Sequence, residues 1–120
     1  RCINVFHAGD GNMHPLILYD ANKPGELERT EAFGAEILRL SVELGGTITG
    51  EHGVGYEKIN SMCDQFVADE LRAFHAVKRA FDPEGLLNPE KAIPTLYRCA
   101  ESGRMHVHGG ELPFPELERL

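Results

Sequence analysis

Two short apolar runs come first along the chain, and two longer stripes with helical spacing follow them. Residues 3–6 and 16–19 are rich in Ile, Val, Phe, Leu and Tyr, which suit a pleated strand. Between them, Gly9-Asp10-Gly11-Asn12 combines glycine, which takes positive φ at little cost, with Asp and Asn, which bond their own backbone. A four-residue loop over 9–12 predicts a hairpin in which Ala8 faces Met13 and His7 faces His14. Pro24 suits the first turn of a helix, and Phe33, Ile37, Leu40 and Leu44 recur along one face of it. Gly45-Gly46 stops that helix. The β-branched run 47–49 then reads as a short strand leading into Glu51-His52.

A second helix begins near Asp64, a suitable N-cap, and carries an apolar stripe of Val67, Leu71, Phe74 and Phe81. Asp82-Pro83-Glu84-Gly85 ends it. Leu86-Leu87-Asn88-Pro89 reads as a docking turn with its leucines tucked inward. From residue 95 onward the chain has Pro113 and Pro115 and no clear period, so 95–120 is expected to be an extended tail, with His106 and His108 exposed on it. The expected fold class is α+β: an antiparallel sheet of about three strands with helices on one face.

Composition narrows the function classes. The 120 residues suffice for one domain with a modest core, and a net charge of −7 without a basic stripe argues against nucleic acid as a partner. No apolar run approaches the roughly 20 residues of a membrane span. Cys2, Cys63 and Cys99 are odd in number and widely spaced, which reads as reduced thiols in a cytoplasmic protein and not as a disulfide framework. The start at Arg1, without methionine, reads as a processed or excised piece.

The chemistry-bearing residues lie at the hairpin and at the Glu-His pair. Directly opposed residues of an antiparallel pair share a face with Cβ atoms roughly 4.5–5.5 Å apart, so two imidazoles there can reach one ion. A one-residue slip would put them on opposite faces. His7, His14 and Glu51 make a set of metal-type ligands, and His52 is a spare base beside them. Asp10 is a turn former. Gly50, Gly53 and Gly55 make a permissive loop, but their spacing is not the dinucleotide fingerprint.

Three motifs, read in order, carry a family resemblance: His-Ala-Gly-Asp-Gly-Asn-Met-His-Pro (7–15), Thr-Gly-Glu-His-Gly-Val-Gly (49–55) and Phe-Asp-Pro-Glu-Gly-Leu-Leu-Asn-Pro-Glu-Lys (81–91). The tail around Arg98-Cys99-Ala100-Glu101 and Gly103-Arg104-Met105-His106 adds to it. The chain resembles the C-terminal portion of FAD-linked 2-hydroxyacid oxidoreductases of the vanillyl-alcohol-oxidase type, most of all the branch formed by the flavin subunits of bacterial glycolate oxidases. The resemblance implies a larger parent whose FAD domain lies upstream. Residues 1–94 would then be the later part of a ferredoxin-like substrate (cap) domain plus a segment returning to the flavin. It implies that His7, His14 and Glu51 hold a divalent metal, zinc or manganese, that His52 lies beside the reacting carbon, and that Asn88 lies near the flavin. Leu16 departs from the asparagine of the hydroxyglutarate enzymes, which favours a smaller substrate such as glycolate or D-lactate. The same resemblance implies an iron–sulfur subunit as partner, and through it a route to membrane association.

Two other classes fit the same residues. A metal-dependent hydrolase could use His7, His14 and Glu51 with His52 activating water, and a non-catalytic module could use the histidines only to stabilise the hairpin. With so few strands, an exposed sheet edge predicts self-association of the chain on its own.

Overall fold

The computed structural model describes residues 1–101, and their arrangement is α+β. In chain order the elements are β1 (Cys2–His7), β2 (Asn12–Ile17), α1 (Glu26–Glu43), a 3-10 turn (Ile59–Ser61), α2 (Met62–Gln65), α3 (Ala68–Phe81) and α4 (Leu96–Glu101). The chain divides into two compact units, Arg1–Gly53 and the part from Val54 onward. His106, His108 and most of the expected tail lie outside the described residues. Where that tail was expected to begin extended, α4 is helical, its first turn capped by the Thr95 hydroxyl, which accepts from Arg98 N at 3.2 Å.

In the first unit, β1 and β2 form a two-stranded antiparallel sheet with Val5 opposite His14, Phe6 opposite Met13 and His7 opposite Asn12. The loop therefore sits one residue earlier than expected, over 8–11, with Gly11 at positive φ and Asp10 N bonded to His7 O at 3.0 Å. β2 starts at Asn12 rather than at residue 16. His7 and His14 are thus diagonal neighbours instead of an opposed pair. The register differs from the expected one by two residues, an even step, so both stay on the same face.

Pro24 lies just outside α1, whose N-cap is Gly25 at φ 79°. The C-terminus closes as a Schellman motif: Gly45, at φ 85°, donates to Val42 O, and Gly46 N donates to Ser41 O. The half-buried residues of α1 include Thr30, Gly34, Ile37, Leu38 and Ser41, while Phe33, Leu40 and Leu44 are exposed. Gly34 lies on the half-buried side, where a Cβ would stand 3.8 Å from Ile17 Cδ1, an ordinary van der Waals distance. Residues 47–49 form no strand but a bend, tied by Ser41 Oγ donating to Thr47 O and Thr47 Oγ1 donating to Thr49 O.

The second unit has its own core of Ile59, Met62, Ala68, Leu71 and Cys99, with Pro94 fully buried. The single helix expected from Asp64 is two helices. The backbone turns extended at Phe66 and Val67, and α3 restarts where the Glu70 carboxylate accepts from Val67 N at 2.9 Å. Phe66 and Phe74 pack edge to face at 5.0 Å between centroids. Leu71 lies in the core, whereas Val67 and Phe81, the ends of the expected stripe, are exposed. His75 bonds Pro94 O through Nε2 at 2.9 Å. Cys63 and Cys99 are not reduced thiols: they form a disulfide with Cα atoms 5.5 Å apart, and only Cys2 is free.

Candidate metal centre

The hairpin register sets up the site. On one face, Asn12 and His14 of β2 follow each other two residues apart, with His7 of β1 opposite Asn12. Glu51 arrives from the bend after α1, and its Oε1 becomes the point of convergence. His14 Nε2 lies 2.8 Å from it, His7 Nε2 3.5 Å and His52 Nε2 3.8 Å. Asn12 Nδ2 donates to the same oxygen at 3.0 Å. The His7 and His14 rings meet edge-on at 5.4 Å, and the His52 ring lies 5.2 Å from that of His14 at a tilt of 35°.

His14 is the most protected of the set, its side chain 22% exposed against 72% for His52. Partial burial pushes the Glu51 carboxyl up. The His7 charge, the Asn12 hydrogen bond, His14 and His52 together outweigh it and hold the group below its ordinary value. The buried hydroxyl of Thr49, two residues before Glu51, has no hydrogen-bond partner.

One ligand atom each from His7, His14 and Glu51 lies within 4.8 Å of the other two. Ligands at 2.0–2.1 Å around a tetrahedral ion stand roughly 3.4 Å apart, so small side-chain adjustments bring all three onto one cation. Two imidazoles and one carboxylate are a donor set for zinc or manganese that leaves a coordination position open. His52 stands beside this set as a base and is not needed to complete it.

Asn88 belongs to the second unit. It sits at φ 43°, and Glu90 and Ala92 also have positive φ, at 58° and 62°. Three non-glycine residues in this sparsely populated region within one short stretch store strain of the kind that clusters at functional sites. The stretch borders an open hollow of ≈ 560 Å³ lined by Phe81, Leu87, Ile93, Lys78 and Lys91 among others. The turn before Asn88 is built on Asp82, which is buried, pairs with Lys78, and accepts from Leu86 N and Leu87 N at 2.9 Å each. Leu86 and Leu87 are themselves exposed, at 72% and 60%, rather than tucked inward. A turn whose hydrogen bonds are satisfied by one carboxylate does not need its leucines buried.

Sequence reasoning passed over Asn12, reading it only as a loop residue. The available signal was its place two residues before His14, the period that shares a strand face.

Comparison with known proteins agrees with the motifs. The model for the C-terminal domain of FAD-linked oxidases matches residues 1–92. The chain belongs to the FAD-linked oxidase family. It is 71% identical over its full 120 residues to the glycolate oxidase subunit GlcD of Escherichia coli K12, and covers 24% of that protein. It is 48% identical over 85 residues to the GlcD subunit of Bacillus subtilis, covering 71% of this chain and 18% of that one. It is also 32% identical over 93 residues to a mitochondrial D-lactate dehydrogenase [cytochrome] of Arabidopsis thaliana, covering 78% of this chain and 16% of that one. The chain thus spans about a quarter or less of the length of these family members.

Proposed function

We propose that this chain is the metal- and substrate-holding part of a flavin-dependent 2-hydroxyacid oxidoreductase acting on glycolate or D-lactate. The observation that carries the reading is the convergence of His7, His14 and Glu51, with His52 beside them, in a member of the FAD-linked oxidase family. The names of the relatives, glycolate oxidase subunit and D-lactate dehydrogenase, support a small 2-hydroxyacid as substrate. Leu16, on the same sheet face as His14, offers no polar group for a second carboxylate.

His7, His14 and Glu51 would hold the divalent ion, and the second-unit stretch around Asn88 would face FAD. When bound, the ion supplies a Lewis acid for the α-hydroxyl and carboxylate of the substrate, and FAD accepts the electrons of the oxidation. The chain's own residues do the rest. The two imidazoles and the carboxylate fix where the substrate's polar end sits. His52 Nε2, 3.8 Å from the Glu51 carboxylate, takes the hydroxyl proton as general base. Its exposure leaves a path for that proton to water. A partner subunit carrying iron–sulfur clusters, and a cytoplasmic location with membrane association through that partner, complete the proposal. Among the described residues no helix is long and apolar enough to cross a membrane.

The test is metal analysis of the full-length protein together with turnover of glycolate and D-lactate. Stoichiometric metal, activity lost on chelation and activity restored by zinc or manganese would support the reading. Full activity in metal-free protein would overturn the metal and make the same three residues direct hydrogen-bonding contacts to substrate.

A further inference from the structure

We infer that Asn12 is a positioning residue that aims the Glu51 carboxylate at the two histidines, and that Gly50 is glycine in order to admit it. The inference rests on the metal reading above and assigns a role to two residues outside the ligand set.

Three observations carry it. Asn12 stands opposite His7 and two residues before His14, so its side chain shares their face. Its Nδ2 donates to Glu51 Oε1 at 3.0 Å, the oxygen on which all three imidazoles converge. At Gly50, next to Glu51, a Cβ would overlap Asn12 Oδ1 and lie 2.7 Å from its Cγ. Any larger residue at 50 therefore displaces the amide that holds Glu51.

The physical need is plain. Glu51 comes from a bend with no sheet or helix to fix its rotamer, and its side chain is 47% exposed. A flexible carboxylate loses rotamer entropy when it ligates, and an oriented one has already lost it. The amide is a neutral donor that bonds a carboxylate oxygen without competing for the metal, as groups outside the coordination shell commonly do.

The test uses the full-length protein, stripped with chelator and titrated with cobalt(II), for wild type, Asn12→Ala, Gly50→Ala and His7→Ala. The expected result is a loss of about 10–100-fold in cobalt affinity for both Asn12→Ala and Gly50→Ala. Their visible cobalt spectra should shift in the same way, because the carboxylate binds differently, while melting of the metal-free proteins matches wild type. A purely structural role would lower that melting temperature and leave the spectrum of the bound fraction unchanged, which would overturn the inference. Wild-type affinity and spectrum in Asn12→Ala, alongside lost binding in His7→Ala, would overturn it while the metal reading stood. No cobalt binding by the wild type would overturn both.

Discussion

From Val54 onward, Leu71 is completely buried, a disulfide joins Cys63 to Cys99, and the buried Asp82 holds a turn. In Arg1–Gly53, by contrast, no residue of α1 is buried, and Ile3, Val5, Phe6, Met13 and Leu16 of the hairpin are all at least half exposed. The candidate ligands nevertheless sit in Arg1–Gly53, where Ile48 is the one buried residue. They are organised by strand register and by polar contacts to one carboxylate oxygen, with little apolar packing. Position and stability are separable here: the helical unit supplies core, and the hairpin unit supplies geometry. So many exposed apolar residues on the hairpin also suit a surface that another body covers. Self-association of the chain, read by light scattering, is the expected outcome.

That contrast can be broken at several points. The largest effect is expected at the site itself. His52→Ala in the full-length protein should lower turnover by about 10²–10⁴-fold while metal content stays near wild type. Equal loss of both would make His52 a ligand. Next, Leu71→Ala should cost about 2–5 kcal/mol in chemical denaturation, because it opens a cavity in the helical core. Phe6→Ala on the exposed hairpin should cost about 0.5 kcal/mol or less in the same chain. Comparable losses would mean that the hairpin is not the loosely packed region.

The disulfide ranks close behind. Closing a separation of 36 residues is worth about 4 kcal/mol in the chain-entropy model, so reduction or Cys63→Ser should destabilise by about 2–4 kcal/mol. A thiol assay of unreduced protein should find Cys2 alone reactive. Three reactive thiols would remove the bond from the account.

The smallest expected effect is on acid stability. The Lys78 side chain lowers the Asp82 carboxyl, burial opposes it, and the Leu87 and Leu86 amides add to the lowering. A depressed carboxylate contributes stability that is fully present above its ordinary value, about pH 4, and is lost as pH falls through the depressed one. Melting temperature should therefore drop below about pH 4, and Asp82→Asn should flatten that drop. An unchanged acid slope in the variant would show that other carboxylates carry it.

Much of the site was legible from local chemistry. Two glycines with Asp and Asn between strand-forming residues announce a hairpin, and the even count between the expected and observed registers keeps His7 and His14 on one face. The Gly45 stop was equally plain, since a left-handed residue closes the helix there. What failed had a common cause. Residues 47–49 have strand propensity but form a bend, held by the Ser41 and Thr47 hydroxyls. Phe33, Leu40 and Leu44 have helical period, but the half-buried side of α1 is the one that carries Thr30, Gly34, Leu38 and Ser41. Cys63 and Cys99 are too far apart in sequence for spacing alone to show that they meet.

The sequence by itself determined the hairpin, the first helix with its glycine stop, the shared face of the two histidines and the family, because strand parity, turn chemistry and ordered motifs are written within a few residues of one another. Only the tertiary structure decided that Glu51 reaches that face, that Asn12 bonds it across 39 residues of chain, and that Gly50 leaves the space for it. Contacts at that separation depend on how α1 and the following bend close the loop, and no local preference encodes the result.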